Sequence, residues 1–249
     1  MSLTTSTQTQ EMSEQNAASP TGTSSDENLD GVLPLSYIIV TDEDDKRDAL
    51  RLVADSIAQQ RQVASAAIIL NPLCLTVLVG LCAVAYRQYE HQGYGTLMTM
   101  LSGIIIMYLS TVRYFTSPYI QMAEAFQWKT WITGPDGKED TIIAAIFGEE
   151  LMATLVLRLE PQGKKGIIRA WTTRLRYRGK GVGSDLLQVA VRTTRDAFGT
   201  DALVECAPDH ANSVNPMYDM FNGPFKKRQA RAIQALAHAL EAEAARRAK

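Results

Sequence analysis

Histidine, cysteine and, over long stretches, charge are what this chain has least of. Its three histidines stand far apart at His91, His210 and His238, so nothing offers the clustered ligands of a zinc site, and no metal is expected. Three cysteines provide no even, closely spaced set for a disulfide framework, and Cys206 reads as an inert buried thiol rather than a nucleophile. Charge is missing locally rather than overall, since the formal net charge is only −2. Residues 1–33 contain five acids and no base, and almost no large apolar residue. Such a segment cannot bury enough surface to offset the entropy of ordering, and an acidic disordered tail is expected there. It also lacks the basic start and apolar centre of a signal peptide, so no cleaved leader is expected.

The second gap in charge is apolar. No residue from Gln62 to Tyr86 is charged, and none from Gln92 to Val112. Each run is long enough to cross a hydrocarbon core of about 30 Å at about 1.5 Å per residue. The link Arg87 to His91 is too short for a domain, so residues 62–112 read as a two-helix transmembrane hairpin whose flanks share one side of the bilayer. A pair of buried core helices is the alternative. Asn71-Pro72 interrupts the first run and makes a kinked span or a shallow re-entrant hairpin a further option. Tyr86, Tyr89, Tyr94, Tyr108 and Tyr114 cluster near the expected ends, as interfacial aromatics do. Arg61 and Arg113 flank the hairpin against Arg87 in its turn, which places both termini in the cytosol by the positive-inside tendency. An integral protein of the endoplasmic reticulum or another endomembrane is expected, with the lipid bilayer as a partner.

Around the hairpin the patterning is that of a mixed α+β domain. Leu35 to Val40 reads as a strand, and Thr41-Asp42-Glu43-Asp44 as a cap with acids in the first helical turn. Gly134-Pro135-Asp136-Gly137 is a turn. Strands are expected at Thr141 to Phe147, Leu151 to Leu159, Gly166 to Tyr177 and Asp201 to Ala207, with a helix from Ser184 to Phe198. Lys226 to Lys249 reads as a basic C-terminal helix, with seven bases and two acids.

The most specific motif is Arg178-Gly179-Lys180-Gly181-Val182-Gly183, between a strand and a helix. Closely spaced glycines let the backbone turn tightly and approach a ligand, and free N–H groups at a helix start attract an anion such as a pyrophosphate. A Walker loop would need Ser or Thr after Lys180, where Gly181 stands, and a dinucleotide fingerprint would need glycine at Ser184. From Pro161 to Ser184 there are seven Lys or Arg and no acid, which suits a phosphorylated ligand. A glycine-rich turn in an unrelated α/β domain is the structural alternative.

At Arg178, Gly181 and Gly183 the motif resembles the Arg/Gln-x-x-Gly-x-Gly/Ala acyl-CoA loop of the GNAT superfamily of N-acetyltransferases. The resemblance covers about residues 34–60 and 125–225. It implies a GNAT-like mixed sheet with flanking helices, interrupted by the hairpin, and assigns residues 34–61 and 113–225 to one acetyltransferase domain. A membrane-anchored branch with a hydrophobic segment upstream of the catalytic region, including the cysteine-conjugate and aspartate N-acetyltransferases, is similar in arrangement. Met217-Tyr218 match the Leu-Tyr of the family's fourth helix, Asn212 lies one place off its Asn, and Asn215-Pro216 offers a helix start. Beyond Phe225 nothing resembles the sixth and seventh strands, which the C-terminal helix from residue 226 replaces.

The resemblance implies acetyl-CoA as co-substrate. Main-chain groups near Thr172, Thr173 and Leu175 would hold its pantetheine arm, and Arg178, Gly179, Lys180, Gly181, Val182, Gly183 and Ser184 its pyrophosphate. Tyr218 is the candidate acid for the leaving thiolate and Glu205 the candidate base, with Asp209, His210 and a water-mediated route as rivals. The expected function is membrane-bound N-acetylation of a small-molecule amine or protein lysine near the membrane surface. The alternative is a catalytically inactive CoA-binding scaffold. No nucleic-acid partner is expected, because the basic residues lack interleaved aromatics and the chain is mildly acidic.

Overall fold

The computed structural model describes residues 35–208, 210–211 and 216–248. The expected tail at 1–33, and Asp209, Asn212 and Asn215, lie outside them. Five strands form one mixed sheet in the order β1-β2-β3-β4-β5: β1 Leu35–Val40, β2 Thr141–Phe147, β3 Glu150–Glu160, β4 Lys165–Thr173 and β5 Leu203–Cys206. The first four pair antiparallel, and β5 runs parallel to β4. A parallel partner needs a crossover, which α6 (Val182–Phe198) supplies.

Side-chain alternation builds two cores, one on each face of the sheet. Ile143, Leu155, Leu157 and Ile168 pack under α6 and α7 (Gly223–Arg247), whereas Ile142, Ala144, Val156 and Ala170 pack under α1 (Glu43–Ile69). The register shifts between Val156 and Leu157, whose partners are Ala170 and Ile168, so Arg169 is the extra residue of a β-bulge. Arg169 and Arg158 both bind Asp140, at 2.8 and 2.7 Å, and the Arg169 guanidinium stacks 4.2 Å over Trp131. That buried cluster ties the bulge to α5 (Trp128–Ile132). α4 (Pro118–Glu124) packs on α1.

Asp42 caps α1 by accepting from the N–H groups of Asp44 and Asp45. α1 then runs for 27 residues and takes in the first part of the uncharged stretch. The stretch from Gln62 is therefore not one span, as the sequence suggested: the helix stops at Ile69. Asn71 caps a new helix, α2 (Pro72–Tyr89), with Pro72 in its first turn. The physical reason lies in the two residues themselves, since Asn accepts from the N–H of Leu73 and proline needs no donor at a helix start.

α3 (Tyr94–Phe115) returns antiparallel to α2. Both α2 and the Tyr94–Glu124 stretch are long and apolar enough to cross a membrane. Only Ala85 of α2, and Leu97 and Val112 of α3, are buried, so these are not core helices of this fold. The base of the hairpin is fastened by Thr116, which Ser65 and Arg61 of α1 reach at 3.3 and 3.5 Å. Tyr86, Tyr94 and Tyr114 are exposed. Tyr108, grouped with them from the sequence, instead donates to the carbonyl oxygen of Ile69 at 3.3 Å and caps the end of α1.

Candidate functional site

The phosphate-loop motif lies where β4 ends. The strand stops at Thr173 rather than at Tyr177, because Leu175–Tyr177 wind into a tight helical turn before Arg178. Gly181 is the cap of α6 with φ 88°, a left-handed conformation that L side chains rarely adopt. No side chain caps this helix. The N–H groups of Ser184 and Asp185 turn back onto the Gly181 carbonyl, and those of Val182 and Gly183 are the open donors of the first turn.

Gly183 is small for a different reason than expected. A Cβ there would stand 3.1 Å from Cζ2 of Trp171 and 3.3 Å from Oγ1 of Thr173. The Trp171 indole also donates to the Gly183 carbonyl at 3.1 Å. Glycine at 183 thus lets α6 lie flush on β4, and glycine at 181 supplies the turn.

β4 and β5 pair only from Lys165 opposite Leu203 to Ile168 opposite Cys206, after which the Ala207 and Ala211 N–H groups bond to the Ile168 and Arg169 carbonyls. β4 itself continues to Thr173. The Arg174 N–H bonds to Met152 of β3, so by the two-residue strand period Thr172 turns its main chain to β3, and Trp171 and Thr173 turn theirs to the opposite side, that of β5. Of the residues proposed to line this edge, Thr172 is buried with its main chain directed at β3, and Leu175 is exposed in the following turn. Sequence reasoning missed Trp171, whose place depends on a contact twelve residues away that no local pattern records.

Arg178 bends back onto the strand end. Its Nε donates to the Thr173 carbonyl at 2.9 Å and its Nη2 to Oε1 of Gln59 on α1 at 2.9 Å. Burial, and then the neighbouring Arg228 of α7, hold its guanidinium below the usual arginine value. Lys180 lies 5.5 Å over the Tyr177 ring. Two adjoining clefts of about 640 and 490 Å³ share Asp48 and Arg174, and run along α1 to Leu175 and the β2–β3 turn.

The two candidate acid–base residues stand outside the loop. Glu205 is on the paired portion of β5, on the opposite face from Val204, with Lys165 at 3.3 Å. Tyr218 does not begin a fourth helix at Pro216: it precedes a single turn, Asp219–Phe221, and is 71% exposed. The helix starts instead at Gly223, where Pro224 occupies the first turn. The Asp219–Phe221 turn packs against α1 and α7. Burial raises the Cys206 thiol above its usual value, which suits a packing role. No cluster of metal-ligating side chains occurs among the described residues.

Residues 106–220 match the model of the Acetyltransferase (GNAT) family. The match begins within α3, spans β2 to β5 with the glycine loop, and ends in the turn after Tyr218. It covers just under half of the chain and supports the relation to the GNAT superfamily that the loop suggested. No curated protein and no solved structure matches the chain.

Proposed function

We propose that this protein is a membrane-bound N-acetyltransferase that moves the acetyl group of acetyl-CoA to an amine near the membrane surface. The observation that carries this reading is the uncapped start of α6, set by the left-handed Gly181 in the loop that follows β4. The helix start offers N–H groups and a positive dipole end to a pyrophosphate. The end of β4 at Thr173, past the last residue paired with β5, lies where an extended amide-bearing arm would run in the manner of an added strand. The GNAT family match supports acyl-CoA as the donor.

In the reaction, the neutral amine attacks the thioester carbonyl, a C–N bond forms, the C–S bond breaks and the thiolate leaves. Glu205, once drawn from Lys165, would take the proton that converts the ammonium to the neutral amine; Tyr218 would protonate the thiolate and be reprotonated by the second proton that leaves the nitrogen, so that one proton in all is released. The exposed apolar surface of α2 and α3 supports insertion in a bilayer, with both flanks of the hairpin on the cytosolic side where acetyl-CoA is available. One observation favours the second reading, a CoA-binding protein without turnover: Glu205 is engaged by Lys165 at the closed end of the β4–β5 pair.

Ser184→Glu tests the first reading without disturbing the fold. Ser184 is the third residue of α6 and exposed, a position where glutamate favours a helix start. The same carboxylate would repel a phosphate. Titration calorimetry on the detergent-solubilised protein should show acetyl-CoA binding weakened at least about tenfold, equivalent to about 1.4 kcal/mol, with the melting temperature held. Unchanged affinity would remove the site. Absence of CoA release with every amine and lysine peptide tried, despite tight binding, would favour the second reading.

A further inference from the structure

α7 runs parallel to α6 and overshoots its start. Arg192 lies 3.8 Å from Glu243 and Arg247 lies 2.6 Å from Asp196, and both pairs are 51 residues apart in sequence. Continued toward the N-termini, that offset sets Gly181 level with Ala232 and puts Arg231 and Arg228 at the height of the glycine loop and beyond it, and Arg228 is near enough to Arg178 for the two charges to act on each other. The first three turns of α7 therefore project past the helix they pack against. No residue from Gly223 to Ala235 is fully buried, although Ala235 packs against the edge of the core. The start of α7 is held in place by Phe225, which stacks on Tyr119 of α4 with ring centroids 6.2 Å apart and planes 5° apart.

The overhang is basic where it meets the loop. Among the described residues neither Arg228 nor Arg231 has a carboxylate partner, and Lys180 touches only the Tyr177 ring. Arg178 spends its donors on a main-chain carbonyl and an amide rather than on an acid. Guanidinium groups from two different elements thus converge without a counter-ion, next to an uncapped helix start. Like charges so placed repel each other until an anion sits between them.

We propose that Arg228, supported by Arg231, forms the outer wall of a phosphomonoester site and reads the terminal 3′-phosphate of coenzyme A, while the start of α6 takes the pyrophosphate. The inference rests on the acyl-CoA reading given above. A phosphomonoester carries nearly two negative charges and suits the planar fork of arginine, which can donate two hydrogen bonds at once.

The test compares CoA with 3′-dephospho-CoA by titration calorimetry on the full-length protein in detergent, for the unaltered chain, Arg228→Gln and Arg228→Lys. Arg228 is exposed, so both variants should fold. The unaltered protein should prefer CoA by about tenfold or more. Arg228→Gln should abolish the preference by weakening CoA alone, and Arg228→Lys should restore part of it. Equal weakening of both ligands, or of neither, overturns the proposal. So does an intact preference accompanied by lost sedimentation with phosphatidylserine vesicles, which would assign Arg228 to lipid headgroups. If the unaltered protein binds neither nucleotide, the acyl-CoA reading itself fails. If it binds both and Arg228→Gln changes nothing, only the present inference fails.

Discussion

α6 and α2 have nearly the same length, 17 and 18 residues, and opposite relations to the rest of the chain. In α6 the apolar residues form a stripe, with Val182, Leu186, Leu187, Ala190 and Val191 buried against the sheet and polar residues on the other side. In α2 they surround the helix, and only Ala85 is buried. The arrangement of apolar residues around a helix, more than their number, decides what must cover it. The sheet covers α6 on one side, whereas most of the α2 and α3 surface is left uncovered by the rest of the described chain.

The largest effect should come from cutting into the covered helix. Leu186 is 0% exposed and lies in the core with Leu155 and Ile168. Leu186→Ala should cost about 2–5 kcal/mol through lost transfer energy and a residual cavity. Val79 is 65% exposed, and Val79→Ala should change stability in detergent by no more than about 0.5 kcal/mol. Thermal unfolding of both variants in the same detergent checks the contrast, and equal losses would show that α2 is packed against protein. Val79→Arg sharpens it further: the solubilised domain should keep its melting temperature, while retention in the membrane pellet at alkaline pH should fall. A pellet fraction unchanged for that variant, or release of the unaltered protein by carbonate, would argue against insertion.

The same contrast explains what could be read from the sequence. β1 and β2 occupy the predicted residues because short apolar runs of this kind bury both faces, here in the two cores. The stretch beyond Thr173 misled through its alternation. Leu175 and Tyr177 continue the alternation, yet they lie in a tight turn imposed by the loop that follows. The Arg169 bulge was invisible, because it depends on a buried carboxylate, Asp140, that is 29 residues away in the chain. Asn71-Pro72 was legible as an interruption, but the capping geometry that makes it a helix start emerged only with the structure. At the site, the left-handed glycine at 181 followed from the motif. The demand for glycine at 183 did not, since it arises from how Trp171 packs across the helix–sheet interface.

A smaller loss should come from the glycine loop. Gly181→Ala must hold an L side chain at φ 88°, which costs about 1–2 kcal/mol. Gly183→Ala must push the Trp171 ring from a 3.1 Å contact, and its stability loss should come with a shift in tryptophan emission. Chemical denaturation followed by fluorescence separates the two. A shifted emission for the Gly181 variant alone would reverse the roles assigned to these glycines.

Acid should loosen α7 before it loosens the sheet. Hydrogen bonds from Arg246, then from Arg247, hold the Glu243 carboxyl down to about 2 against the opposing effect of burial. Because the folded value lies below the ordinary 4.5, the associated stability is complete above that value and is lost as pH falls through 4.5 toward 2. Hydrogen exchange of α7 amides should accelerate over that window, and Glu243→Gln should flatten the dependence. Pairing of Glu243 with Arg192 then has a direct readout, since α7 is tied to α6 through this contact.

The smallest effect on stability is expected at Glu205, and there the measurement that matters is turnover. Its ion pair with Lys165 is 3.3 Å long, and its side chain is about half exposed, so solvent screens most of the attraction and Glu205→Gln should shift stability by about 0.5 kcal/mol or less. If Glu205 serves only that pair, the variant should acetylate at the unaltered rate. If it removes the amine proton, kcat should fall by about a hundredfold or more while acetyl-CoA affinity is kept, and the acidic limb of the rate profile should flatten. Lys165→Gln distinguishes positioning from chemistry: freeing Glu205 should raise the rate if it is the base, and should leave the rate unchanged if it is purely structural. A normal rate for Glu205→Gln would move the proton to the water-mediated route and leave the acyl-CoA site intact, since neither Glu205 nor Lys165 belongs to the loop at the start of α6.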